Sequence, residues 1–459
     1  MGPVLLRRVH FLLFALTLAF VPLPLGSNRD WSWSPLAAVV GLLLVLLPIQ
    51  TIWSGRQERT SLRSLAVPAL LVALVALWAV AQASGWTPSA WENPLRISSA
   101  ALISSSAPHT VALEPEQVWM GLMRLFTYAG VFVLAVVLCS EGSAARTVCA
   151  VIVWSAVIYT VGTMVIGVVN RLSASTGVIL FTPNPGYFTG PFVNRNHYAT
   201  YAAVAALAAL ALATRLIAGR WNDEHISTAA RWRRRLTILT GRAGLYFAAI
   251  AILGSGVLLS QSRAGLASLA LGLLAMLVLL GRGATRLSLI AAAIVAAPAC
   301  LAFLPGGGAV LARLMTLVQQ GDVDRVHLLE LTLQAMSLRP LLGWGLNSFQ
   351  SLYTVFQPTA IPVYYDRAHN TGLELAFALG VPAAAALVIA LGWVLVRCVI
   401  GVATRRQDRE FPALGIAMTL AVGFHSLFDF SLQIPAVAVV CAAVLGIGWA
   451  QSWSSRRID

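Results

Sequence analysis

Lysine is absent from this chain of 459 residues, so all 31 of its basic residues are arginine. Charge of either sign is scarce. Charged residues make up 10% against 58% hydrophobic, with a mean hydropathy of +0.80. A soluble domain is roughly one quarter charged, so a string of soluble domains is excluded. Cysteine is also sparse: Cys139, Cys149, Cys300, Cys398 and Cys441 each lie within or at the end of an apolar run, and none forms a CxxC pair. That excludes a disulfide framework and a thiolate zinc site and leaves small apolar packers. Internal repeats and low-complexity tracts are missing too. Arg7 and Arg8 precede an apolar run to Leu25, but no small-x-small cleavage site follows, so the run reads as an uncleaved first helix.

Long apolar runs are what the chain does have. Each is near the roughly 20 residues that cross a bilayer. They predict twelve spans at 9–26, 35–54, 65–83, 117–139, 146–169, 197–218, 243–260, 265–281, 287–305, 373–396, 411–428 and 434–452. The expected fold class is therefore an all-α integral membrane protein. The net charge of +14 would suit nucleic acid, but the arginines fall between the apolar runs, where they orient spans. Most of them alternate: Arg7–Arg8, Arg56–Arg63, Arg146, Arg215–Arg242, Arg282–Arg286, Arg397–Arg409 and Arg456–Arg457 all belong to one side. The positive-inside rule makes that side cytoplasmic, with both termini there. The basic cluster at 231–235 beside Trp232 reads as a topology anchor touching anionic lipid.

The opposite side holds three long loops, near 84–116, 170–196 and 306–372. The last separates spans nine and ten. It opens on three glycines, and its patterning predicts amphipathic helices at 311–318 and 324–337. Three constellations there could carry chemistry. Arg263 sits in Ser262-Arg263-Ala264-Gly265, a tight turn between apolar helices. It breaks the arginine rule, and guanidinium binds phosphate bidentately; the plain alternative is snorkelling to headgroups. Next, Asn194-Arg195-Asn196-His197 precedes a span. Cap chemistry accounts for its asparagines but not for Arg195 and His197. Finally, Asp366-Arg367-Ala368-His369-Asn370 closes the long loop, with Glu374 shortly after. Imidazole titrates near neutral pH, so His369 is the candidate base, with Asp366 and Glu374 flanking it. Arg325 and His327 add weaker signals. His425 and Asp429, spaced i, i+4, read as a structural pair on one helix face.

In this order and at these positions, the constellations resemble the O-antigen ligase and O-antigen polymerase superfamily. Its histidine motif runs His, then Asn, Ser or Gln, nine residues, then Gly; His369, Asn370 and Gly380 match. Ala383 stands where Gly, Thr or Tyr usually follows. The Ser262–Gly265 turn, and Arg325 with the later Gly343-Trp344-Gly345, are also similar to the family's. The resemblance covers roughly 185–435. It implies a GT-C-like fold of N-terminal helices (1–183), a catalytic transmembrane region (184–452) and a cytoplasmic tail (453–459). It implies an enzyme of the bacterial inner membrane with its active face periplasmic. Such enzymes take glycan from an undecaprenyl-diphosphate donor, without a metal ion or other cofactor. Ligases pass it to lipid A–core, and polymerases to another lipid-linked glycan. Arg195, Arg263 and Arg325 would bind the diphosphate, and His369 would activate the acceptor. A secondary transporter is the rival class, yet no acid lies near a span centre and the two halves look unalike.

Overall fold

A computed structural model describes residues 3–54, 62–102, 109–173, 187–217, 233, 237, 240–281, 323–357 and 365–453. Within these the regular structure is entirely helical. The principal helices are α1 (Pro3–Phe20), α2 (Asp30–Ser54), α3 (Ala66–Ala83), α4 (Pro94–Leu102), α5 (Pro115–Leu138), α6 (Gly142–Ser173), α7 (Arg195–Ile217), α8 (Arg242–Leu259) and α9 (Arg263–Leu280). They continue as α10 (Val323–Leu338), α11 (Phe349–Phe356), α12 (Thr371–Leu379), α13 (Val381–Thr404), α14 (Glu410–His425) and α15 (Pro435–Ala450). Eight of them, α2, α3, α5 to α9 and α13, are long and apolar enough to cross a membrane; α14 and α15 are apolar but shorter. Their outer faces leave large apolar side chains uncovered, among them Leu42, Val45, Leu70, Leu77, Val388 and Val396. A lipid environment satisfies such a surface. The chain is a multi-pass membrane protein.

The innermost helix is α7. Every residue from His197 to Thr214 is buried, and α7 packs against α6, α8, α9, α14 and α15. Its composition explains this position. Where hydrocarbon surrounds a bundle, tight backbone approach replaces the hydrophobic drive between helices, and small residues permit it. Alanine is the commonest residue of α7. Its large exceptions are accommodated individually. The Tyr198 hydroxyl lies 2.8 Å from Thr160 Oγ1 and occupies the space that a side chain on Gly256 would need.

Two sequence expectations change. The predicted span 373–396 is not one helix. It breaks at Gly380, which adopts φ +80° and separates short α12 from membrane-length α13. Pro382 then occupies the first turn of α13, where its missing N–H costs nothing. The first helix ends at Phe20, short of the predicted Gly26. In the long outer loop, the helix predicted at 324–337 is α10, and α11 was not foreseen. The span at 287–305 and the helix at 311–318 lie outside the described residues.

The arginine alternation has a structural counterpart. Groups assigned by sequence to one side meet one another: Arg7 with Glu141 at 3.1 Å, and Arg146 and Arg215 with Asp408 at 3.4 and 2.7 Å. At the opposite end of α7, Asn196, His197, Ser262, His369 and Asp429 come together.

Candidate active site

Four chain segments converge at that opposite end. The first is the turn between α8 and α9. Gln261 takes φ +55°, and Ser262 caps α9 by accepting the Gly265 N–H at 3.1 Å. A side chain on Gly265 would overlap Ala199, so that glycine lets the start of α9 press against α7. Arg263, the first residue of α9, is exposed and makes no hydrogen bond or ion pair within the described residues.

The start of α7 is the second segment. Asn194 Oδ1 accepts the Asn196 N–H at 2.8 Å, an ordinary cap. Asn196 does more. Its Oδ1 accepts from the Ser262 hydroxyl at 2.8 Å, while its Nδ2 donates to Asp429 Oδ2 at 2.5 Å. His197 is buried, with Nε2 at 3.5 Å from Asp429 Oδ1. Arg195 lies over the Tyr187 ring, 4.0 Å from its centre.

The third segment carries His369, held at φ +51°. A non-glycine residue is rarely found there without surrounding structure to hold it, and such strain clusters at functional sites. Two neighbours supply the hold. Asn370 caps α12 by accepting the Leu373 N–H at 3.0 Å, and the Thr371 N–H donates to the Ser426 carbonyl at 3.0 Å. The His369 ring is partly exposed, and its Nδ1 lies 3.9 Å from Asp429 Oδ2. The acids expected to flank it are placed otherwise. Asp366 is exposed with no partner in the described residues. Glu374 is buried and bends back to Arg367 at 3.2 Å and the Ala368 N–H at 2.8 Å, bracing the loop.

Asp429 is the fourth element and the hub. The expected i, i+4 helical pair with His425 does not form, because α14 stops at His425 and Asp429 lies in the turn beyond. Its carboxylate is 1% exposed and also accepts from the Phe430 N–H at 2.7 Å and the Ser431 hydroxyl at 3.3 Å. Burial alone would push this carboxyl upward. The facing imidazoles of His197 and His369 outweigh burial and hold it well below the usual carboxylate range. Neither His197 Nε2 nor His369 Nδ1 has another partner. Phe430 stands edge-on to both rings, with centroids at 4.8 and 4.9 Å.

The result is an imidazole, partly open to solvent, aimed at a buried carboxylate. A carboxylate in that place orients the ring and stabilises it once protonated, leaving the second nitrogen to take a proton from outside. The Arg263 guanidinium, without a partner among the described residues, stands one residue from the same network. Arg325 falls in α10, but its side chain is outside those described. His327 pairs with Glu330 at 3.4 Å on an exposed face, apart from the network.

Residues 248–388 match the family model described as O-antigen ligase. That match spans under a third of the chain and supports the O-antigen ligase and polymerase superfamily. No curated protein matches it. The family implies a glycan-transferring enzyme of O-antigen biosynthesis.

Within the ligase domain, the structure explains why the histidine motif ends in glycine. The Gly343-Trp344-Gly345 segment threads past the break between α12 and α13. Trp344 N–H donates to Phe377 O at 3.1 Å, Gly345 N–H to Ala378 O at 2.9 Å, and Val381 N–H to Pro340 O at 2.8 Å. A Cβ on Gly380 would overlap the Leu341 carbonyl, and one on Gly343 the Ala378 carbonyl. The two glycine motifs are thus two sides of one backbone contact, which fixes the helix that His369 precedes. Residues outside the match contribute to the same structure. Asn196 and Asp429 lie outside the matched residues. From α3, buried Gln82 donates to Leu342 O at 2.7 Å and Ala378 O at 3.0 Å, and Trp78 Nε1 donates to Leu379 O at 2.7 Å. Arg339 spends its charge on the Val111 and Trp91 carbonyls, and burial lowers its pKa to about 10. It serves as a clamp on the outer loops.

Proposed function

We propose that this protein transfers glycan from an undecaprenyl-diphosphate donor to an acceptor hydroxyl on the periplasmic face of the bacterial inner membrane, in the manner of an O-antigen ligase. Both termini are then cytoplasmic. Residues 184–452 form the catalytic region, braced by α3 from the N-terminal helices, with 453–459 as a cytoplasmic tail. The observation that carries the reading is His369 facing buried Asp429 at 3.9 Å, with exposed Arg263 next to Ser262 of the same network.

The acceptor oxygen attacks the anomeric carbon as the bond from that carbon to the diphosphate oxygen breaks. His369 takes the hydroxyl proton. Asp429 stabilises the imidazolium that forms. The electron pair leaves on the diphosphate, where fixed guanidinium groups stabilise it. Arg263 is the foremost of these because no partner among the described residues neutralises it, with Arg195 and Arg325 assisting. Asn194, Asn196, His197, Asn370 and Glu374 position these groups. A single displacement of this kind inverts the anomeric configuration.

The test is complementation of a strain lacking the gene, followed by gel analysis of surface glycan. His369→Ala and Arg263→Ala insert at wild-type levels and restore no transfer; full activity in both would overturn the roles. The same gel separates ligase from polymerase. Loss of a ligase leaves bare core and stranded lipid-linked polymer, whereas loss of a polymerase leaves core capped with one repeat.

A further inference from the structure

Helix α7 runs away from the site. Arg215 lies roughly 28 Å along its axis from Asn196, at about 1.5 Å per residue. At that far end α6, α7 and α8 enclose an open groove of about 410 Å³. Three arginines reach its rim, one from each helix: Arg146, Arg215 and Arg242. The acid packed against them is Asp408, which accepts from Arg215 Nε at 2.7 Å and lies 3.4 Å from Arg146 and 3.8 Å from Arg405. Buried Glu410 also acts on Arg215 and Arg405, yet with Arg242 the guanidiniums still outnumber the acids and leave the rim cationic. Arg242 is exposed and has no hydrogen bond or ion pair within the described residues.

Below the rim the lining changes character. Leu216 and Leu245 are exposed apolar side chains, and Trp154 and Tyr246 stand together with ring centroids 6.0 Å apart. A cationic rim over an apolar wall, with an aromatic pair at the boundary, matches an amphiphile: a phosphate on the guanidiniums and a hydrocarbon chain along the leucines. A free anion would leave the leucine wall unused, and a sugar would find few neutral hydrogen-bonding side chains there.

We propose that this groove binds the phosphate headgroup and upper chain of an anionic phospholipid, at the end of the bundle remote from the candidate active site. The test is native mass spectrometry of the purified full-length protein with phosphatidylglycerol and phosphatidylcholine of identical chains. Wild type retains phosphatidylglycerol preferentially, and excess inorganic phosphate does not displace it. Arg242→Ala lowers the preference about tenfold, the value of one charge-assisted contact. Arg242→Lys keeps most of it, and Leu245→Gln weakens retention of phosphatidylglycerol. Equal retention of both lipids by wild type, displacement by inorganic phosphate, or an unchanged preference in Arg242→Ala would overturn the proposal.

Discussion

Replacing Asp429 by Asn keeps the shape of the side chain and removes its charge. The Phe430 N–H and Ser431 hydroxyl still find an oxygen to donate to, so the turn holds. What changes is the partner at the other oxygen, which faces His369 and accepts from Asn196 Nδ2. The carboxylate, 3.9 Å from Nδ1, faces the positive charge that develops on the ring as it takes the acceptor's proton. At an effective dielectric near 20, that attraction is about 4 kcal/mol. The ring is partly exposed, and solvent screening brings the figure to about 2–4 kcal/mol. Each 1.36 kcal/mol is tenfold in rate, so transfer falls roughly thirtyfold to a thousandfold. The amide also presents an N–H where His369 Nδ1 expects an acceptor, favouring the wrong tautomer, and this pushes the effect to the upper end. The assay is initial transfer rate in proteoliposomes at saturating lipid-linked donor. The decline appears in kcat, because Asp429 is buried away from substrate. A variant within threefold of wild type, equally folded, would refute the assignment of Asp429 to the imidazole.

Three further outcomes follow from the same geometry. Gly380→Ala is strained both by its positive φ and by the Leu341 carbonyl, so it costs about 1–3 kcal/mol; thermal unfolding at the wild-type temperature would contradict the backbone contact. Gln82→Leu strands the Leu342 carbonyl and the Leu346 N–H and leaves the Ala378 carbonyl with the Gly345 N–H alone, at about 1–3 kcal/mol for each unsatisfied group. Transfer and stability fall together, although Gln82 lies on α3, outside the family match. Because the folded state depresses the Asp429 carboxyl, its contribution to stability is present above the unfolded value near 4 and is lost as pH falls through the lower folded value. Acid titration of unfolding shows that loss in wild type and a smaller one in Asp429→Asn.

The membrane architecture was legible because hydrocarbon imposes a length and polarity that local sequence must meet. Arg263 was legible for a related reason: it violates the arginine pattern, and among the described residues it has no partner. The break at Gly380 was hidden. Val381, Pro382 and the alanines after it continue an apolar run, and only the approach of Gly343–Gly345 from the distant loop requires the interruption. Asp429 was noticed but placed on a helix, since i, i+4 spacing implies one face only while the helix continues. Its real partners, Asn196, His197 and His369, lie far away in the chain and are set by tertiary packing. Proximity in sequence favoured Asp366 and Glu374 instead. One of these is solvated, and the other is engaged by Arg367 and the Ala368 N–H.

The most direct measurement is glycan transfer by purified wild-type and His369→Ala protein, reconstituted with lipid-linked donor and acceptor and read by the mobility shift of the product. With His369 as the base beside Asp429, wild type forms product and the variant is slower by at least about a hundredfold, the contribution of a positioned general base. Transfer by the variant at the wild-type rate would contradict it.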